Sequence, residues 1–263
     1  VREKMSENND VDALDLIIVT GASGHLGQSI VERYLAAKNV HVVALGRART
    51  DRSIELEEVW SKRSREFTYL YLDQVLSTNQ SLVDCLSELF PRSRISALIN
   101  NAASQDLGAL SELTSNQWTT MLADSFLSIV ELTQGLIDHM RSGSSIVNIS
   151  SVEASVAFPN HGAYASAKAA LEAYTRSLAN EYARRGIRAN VVAPGLIERE
   201  GLAQAWPQGY AAWRNTSPAG TLVLADQVAS VVYFLGSEES SGVSGVVIPV
   251  DGGWLSSSRL SLA

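Results

Sequence analysis

Leu16-Ile-Ile-Val-Thr-Gly-Ala-Ser-Gly-His-Leu-Gly27, followed by a helical pattern from Gln28 to Ala37, decides how this chain folds. Leu16 to Thr20 is a short, nearly continuous apolar run, as a parallel strand buried on both faces requires. The glycines of Gly21 to Gly27 then let the backbone turn tightly into a helix. A strand, a glycine-rich turn and a helix, in that order, bring backbone N–H groups and a helix N-terminus toward one point. That point suits the pyrophosphate of a dinucleotide.

Outward from this unit the pattern repeats. Apolar strand segments are predicted at Val40–Leu45, Phe67–Leu72, Ile95–Ile99, Ile146–Ile149, Ile187–Val192 and Gly245–Val250. Helical patterns lie between them at Ile54–Arg65, Ser81–Phe90, Thr114–Met140, Ala163–Arg185 and Ala225–Leu235. This alternation predicts an α/β fold: a Rossmann-type doubly wound parallel sheet in three α/β/α layers. No linker or composition shift divides it, so residues 15–263 read as a single domain behind a flexible tail, residues 1–14, in which Met5 is a candidate natural start. One segment breaks the alternation. Residues 196–221 carry Trp206, Tyr210, Trp213, Pro207 and Pro218, and follow a strand's carboxyl end, where insertions cover sites. They read as a substrate lid, although each aromatic taken singly reads equally well as packing against the sheet.

Composition narrows the function. The chain has 263 residues, 46% hydrophobic and 19% charged, which is globular rather than disordered. A net charge of −7 argues against nucleic acid and against an anionic membrane surface. No apolar run approaches the length of a membrane span and no secretory signal is evident, so a cytoplasmic location is expected. The single cysteine, Cys85, lies in an amphipathic pattern and reads as a small core residue. The histidines His25, His41, His139 and His161 have no ligand-like spacing, and no metal site is expected.

The chemistry concentrates in Ser144 to Ala170. A strand ends at Ser150-Ser151, a loop containing Pro159, Asn160 and Gly162 follows, and an alanine-rich helix begins. Tyr164 and Lys168 fall one turn apart on one face of that helix. A phenol titrates near 10 and a neighbouring ammonium lowers that value, which suits it to proton transfer; a serine hydroxyl at the strand end can hold the reacting oxygen beside it. Elsewhere, the strand ending at Leu45 runs into Gly46-Arg47 where an acid would hold adenosine ribose hydroxyls. A cation there favours a 2′-phosphate, hence NADP(H) over NAD(H); the alternative is a solvated loop charge. Asp73 is placed to reach an adenine amino group or to start the next helix. Asn100-Asn101-Ala102-Ala103 form a strand exit at the sheet edge where ligands bind.

Taken together the chain resembles the simple, single-domain branch of the short-chain dehydrogenases/reductases, from about Leu16 to Trp254. The resemblance rests on TGASGHLG, the NNAA exit, NISS with Tyr164-x-x-x-Lys168, the 13-residue interval from Ser151 to Tyr164, APG after the sixth strand, and the VDGGW ending. It implies an oxidoreductase interconverting a carbonyl and a secondary alcohol with a nicotinamide cofactor. Tyr164 would be the general acid or base, Lys168 would lower its pKa and hold the nicotinamide ribose, and Ser151 would bind the reacting oxygen, with Ser150 a backbone or cofactor neighbour. Gly21, Ser23, Gly24, His25, Leu26, Gly27, Arg47, Asp73, Asn101, Ala102, Pro194, Gly195 and Ile197 would border the cofactor, and Asn100 would support its side of the pocket. A small-molecule substrate would meet His161, Arg199, Trp206 and Trp213. A homotetramer or dimer built on the two long helices would follow by analogy. NAD-linked oxidation of a sugar or polyol, and a non-redox cofactor-binding protein, are the alternatives.

Three departures stand out. The glycine spacing is T-G-x-x-G-x-x-G, with His25 where the simple branch has glycine. Ser125 occupies the position of the family's catalytic asparagine. Arg199, between Glu198 and Glu200, replaces a cofactor-contacting threonine, and reads as a substrate-binding cation or as a solvent-facing charge paired with its neighbours.

Overall fold

A computed structural model describes residues 14–77 and 81–257. Residues 1–13, most of the expected tail, lie outside them. In chain order the elements are β1 (Asp15–Thr20), α1 (His25–Leu35), β2 (Val40–Gly46), α2 (Asp51–Arg63), β3 (Phe67–Tyr71), α3 (Leu72–Ser77), α4 (Leu82–Leu89) and β4 (Arg94–Asn100). There follow α5 (Ser115–Leu122), α6 (Ser128–Leu136), β5 (Met140–Ile149), α7 (Gly162–Tyr182), β6 (Arg188–Pro194), α8 (Leu202–Ala205), α9 (Pro207–Thr216), α10 (Ala225–Gly236) and β7 (Val247–Val250). The seven strands form one parallel sheet in the order β3-β2-β1-β4-β5-β6-β7.

Side-chain alternation along β1 explains the three layers. Ile17 and Val19 join a core with Ile30 and Tyr34 of α1, Trp60 of α2 and Val228 of α10. Leu16 and Ile18 point the other way, to a core with Leu86 of α4, Leu136 of α6 and Leu178 of α7. Both faces of the strand are covered, which is why its sequence is apolar from Leu16 to Val19. The order of winding reverses between β1 and β4, so their carboxyl ends open a crevice at the sheet's upper edge.

Local chemistry moves several expected boundaries. Helix α2 begins at Asp51 rather than Ile54, because the Thr50 and Ser53 side chains cap each other's backbone N–H. Helix α1 begins at His25, with Gly24 as its extended N-cap. The helix expected over Thr114–Met140 is not continuous. It holds a π-helical turn at Ala123–Leu127, ends in a 3₁₀ turn at Ile137–His139, and gives Met140 to β5. Strand β7 starts at Val247, not Gly245, whose φ of 80° turns the chain first. No helix among the described residues is long and apolar enough to cross a membrane.

Candidate active site

The crevice is built first by the glycine turn. Gly21 has φ 63°, and a Cβ on it would lie 2.9 Å from the Ala102 Cα. A Cβ on Gly27 would collide with the Gly21 carbonyl oxygen. Only glycine lets α1 start this close to β1, and no side chain caps its first turn. Its N-terminal N–H groups therefore face the crevice as an anion cradle.

The turn is braced from β4. Asn101 Nδ2 donates to the carbonyls of Thr20 and Gly21, both at 3.1 Å. Thr20 Oγ1 accepts from the N–H groups of Asn101 and Ala102, both at 3.0 Å. Asn101 thus shapes the turn with its side chain. Gln28 Nε2 holds the Ser23 carbonyl at 2.9 Å, and Leu26 packs against the core below. His25 Nε2 donates to the Glu198 carbonyl at 2.9 Å, tying the turn to the segment that follows β6.

At the adenosine end, Arg47 leaves β2 with a side chain 81% exposed and pairs with Asp124 at 3.3 Å. Asp73, in α3, lies beside it: its N–H donates to the Arg47 carbonyl at 3.1 Å, and its carboxylate accepts from the Gln74 N–H at 2.8 Å. At the opposite end, Pro194 closes β6, and the Gly195 N–H donates to the Val250 carbonyl at 2.9 Å. Ile197 pairs with Val223 in an isolated bridge.

A polar ladder fixes the proposed catalytic helix to the sheet. Asn100 Nδ2 donates to Asn148 Oδ1, and Asn148 Nδ2 to Thr175 Oγ1, both at 2.8 Å. Ser150 Oγ donates to Glu172 at 2.8 Å. These buried bonds join β4, β5 and α7, and set the height of Tyr164 and Lys168 above the sheet edge.

Lys168 is 2% exposed, and its Nζ donates to the Ile149 carbonyl at 2.8 Å. Burial lowers its pKa to about 8. The nitrogen lies 5.7 Å from the centre of the Tyr164 ring. Burial raises the phenol, the nearby Glu153 carboxylate raises it further, and a hydrogen bond with Ser151 opposes both. Ser151 Oγ caps the 3₁₀ turn Val152–Ala154 by accepting the Glu153 N–H at 3.2 Å. That bond takes a lone pair and leaves the hydroxyl proton to donate toward the phenol or a substrate oxygen.

Glu153 escaped the sequence reading. The loop after Ser151 folds back so that Glu153 Oε2 accepts from His161 Nδ1 at 2.6 Å. Both side chains are about 15% exposed, at 14% for His161 and 15% for Glu153. His161 is the N-cap of α7, one turn before Tyr164. A histidine three residues ahead of the tyrosine was visible in sequence; its carboxylate partner, eight residues away across a loop, was not.

Other expected residues sit elsewhere. Ser125 is buried in the π-helical turn, where its Oγ donates to the Ser104 carbonyl at 3.0 Å and accepts the Ser104 N–H at 3.2 Å. It ties the loop after β4 to this turn, which packs near Tyr164 and α7 through Phe126, beside Met121 of α5. Trp213 is 8% exposed and stacks on Trp254 at 4.6 Å, with Phe158 beyond, so it is a pillar under the 196–221 segment rather than an open pocket wall. Trp206 folds over Gly209 and stays exposed. Arg199 lines an open cavity of about 620 Å³ with His25, Ser29 and Asp226, on the glycine-turn side of the crevice.

Comparison with known proteins agrees with this architecture. Residues 22–255 match a family model described as enoyl-(acyl carrier protein) reductase. The chain is 31% identical over 241 residues to the 3-oxoacyl-(acyl-carrier-protein) reductase FabG of Chlamydia pneumoniae, covering 90% of this chain and 95% of that one. Among solved structures, an oxidoreductase of the short-chain dehydrogenase/reductase family from Burkholderia thailandensis superposes with a TM-score of 0.80 at 29% identity, covering 94% and 95% of the two chains. An NAD(P)-dependent gluconate 5-dehydrogenase candidate from Beutenbergia cavernae, solved with NADP at low occupancy, gives 0.81 at 29% identity over 93% and 98%.

Proposed function

The chain belongs to the short-chain dehydrogenase/reductase family, and we propose that it is an NADP-dependent oxidoreductase interconverting a carbonyl and a secondary alcohol, with Tyr164 as the acid–base group. The observation that carries this reading is the meeting of Ser151, Tyr164 and buried Lys168 at the carboxyl edge of the sheet, beside a turn whose close approaches only glycine permits.

These residues fit a dinucleotide. The N–H groups at the start of α1, kept free of a side-chain cap, would hold the pyrophosphate. Lys168 uses one donor on Ile149 and would offer the others to ribose hydroxyls. Arg47 would meet a 2′-phosphate by exchanging its exposed pairing with Asp124, and Asp73, beside it, the adenine. Pro194, Gly195 and Ile197 would line the nicotinamide end. When bound, the nicotinamide exchanges a hydride with the substrate carbon.

The protein handles the oxygen. In reduction, the Ser151 hydroxyl and the Tyr164 phenol donate hydrogen bonds to the carbonyl, and the Tyr164 proton passes to the forming alkoxide. The phenol carries its proton at neutral pH and so has one to give in reduction. Segment 196–221, with α8 and α9, would act as the lid and exclude water.

Nicotinamide fluorescence on titration with NADPH and NADH, in wild type and Tyr164→Phe, tests the reading. NADPH is expected to bind both proteins more tightly than NADH. Turnover of a ketone screen is expected to fall about 10²- to 10⁴-fold in the variant, the range of general acid–base catalysis. Binding of neither NADPH nor NADH by the wild type refutes the oxidoreductase reading. Equal turnover by the two proteins refutes the role of Tyr164.

A further inference from the structure

We infer that Glu153 and His161 form a specificity dyad that binds a hydroxyl group on the carbon next to the reacting carbonyl, so that the substrate class is an uncharged α-hydroxy ketone or its vicinal diol. The inference rests on the site proposed above and names what that site takes.

Three independent features converge on the dyad. The first is the Glu153–His161 hydrogen bond of 2.6 Å, between side chains on opposite ends of the loop that separates Ser151 from Tyr164. The second is the backbone bond from Glu153 N–H to Ser151 Oγ, which places the carboxylate on the turn that also aims the serine. The third is placement: Glu153 lies two residues after Ser151, and His161, the N-cap of α7, three residues before Tyr164. The dyad therefore borders the place where a substrate oxygen meets Ser151 and Tyr164, one group further along.

Its chemistry defines the ligand. Glu153 Oε2 is engaged by His161, while Oε1 accepts no hydrogen bond from the described residues. A half-buried carboxylate oxygen in this state favours a neutral donor, and an alcohol O–H is the smallest one that fits beside a carbonyl. His161 fixes the carboxylate's orientation through Nδ1, as a carboxylate–histidine pair does in other sites. The negative charge also repels a carboxylate substituent at the same position. The cation named from sequence as a substrate contact, Arg199, does not offset this, because it lies across the crevice with His25.

The test uses a matched pair of probes, 2-hydroxycyclohexanone and 2-methylcyclohexanone, with the full-length protein and the cofactor it binds. Wild type is expected to favour the hydroxy ketone about 10- to 100-fold in kcat/KM, the size of a hydrogen bond to a charged acceptor. Glu153→Gln and His161→Asn are each expected to bring that ratio to within about threefold of one, chiefly through KM of the hydroxy ketone. Two variants are used so that misfolding of one does not stop the test. A purely structural role would lower both probes by one factor and keep the ratio, which overturns the inference. Absence of a wild-type preference overturns it too, as does cofactor binding with turnover of neither probe. Failure to bind NADPH and NADH instead overturns the oxidoreductase reading on which it rests.

Discussion

Replacing Lys168 by methionine should stabilise the protein while abolishing its turnover. The side chain is fully buried, and burial lowers its pKa from 10.5 to about 8. At about 1.4 kcal/mol per pH unit, keeping the ammonium inside costs about 3 kcal/mol. Methionine fills similar volume without charge but loses the charged bond to the Ile149 carbonyl, worth about 2 kcal/mol. The net gain at pH 7 is about 1 kcal/mol, or about 2–4 °C in Tm for a domain of this size. The pH dependence fixes the cause. Below about 8 the ammonium is protonated in both folded and unfolded chains, and the full cost is present. Between about 8 and 10.5 the unfolded chain keeps a proton that the folded chain has released, so wild-type stability rises with pH. The advantage of Lys168→Met should therefore be full at pH 7 and shrink steadily above pH 8. Urea unfolding followed by fluorescence of the five tryptophans, from pH 6.5 to 9.5, measures it. A variant less stable than wild type at pH 7, or a difference that does not change with pH, would refute the assignment of a costly buried charge.

Arg47→Asp should shift initial-rate preference from NADP toward NAD, and an unchanged ratio would remove the basis for the cofactor assignment. Gly27→Ala puts a Cβ against the Gly21 carbonyl oxygen, so fluorescence titration should show cofactor affinity lowered at least about tenfold; wild-type affinity would mean that the turn can open without cost. Trp213→Ala should cost about 3–5 kcal/mol in urea unfolding by removing the centre of the Phe158–Trp213–Trp254 stack. Trp213→Phe should cost less than half of that, because it keeps an aromatic ring and removes an indole N–H that has no partner among the described residues. Equal losses in the two variants would contradict the packing role.

The sheet was legible because parallel strands covered on both faces must be apolar, and Leu16–Thr20, Val40–Leu45 and Ile95–Ile99 are. The break in the Thr114–Met140 helix was not. Its π-helical turn holds Ser125, whose hydroxyl reaches Ser104, 21 residues away in sequence, and periodicity carries no trace of such a contact. The stacking of Trp213 on Trp254 was not legible for a similar reason: an aromatic in an irregular segment has the same sequence signature whether it faces a pocket or packs on another ring. Sequence placed Asn101 near the cofactor, and its side-chain bonds to the Thr20 and Gly21 carbonyls, 81 and 80 residues away in the chain, were not legible there.

The electrostatics of the site show where sequence spacing stops being informative. Four residues on a helix bring Tyr164 and Lys168 together, and sequence spacing assigns the amine to the phenol. In the folded chain the amine donates to the Ile149 carbonyl while lying 5.7 Å from the centre of the Tyr164 ring, and the loop adds the Glu153 carboxylate, which raises the phenol. Burial disfavours the charged form of each group, raising the phenol and lowering the ammonium. An ammonium in that position is unfavourable until something supplies acceptors for its remaining donors, and a hydroxyl-rich ligand does so without adding charge. On this argument the stability lost at Lys168 is regained on ligand binding. NADPH should therefore raise the Tm of wild type by more than that of Lys168→Met, even after the two are compared at equal saturation.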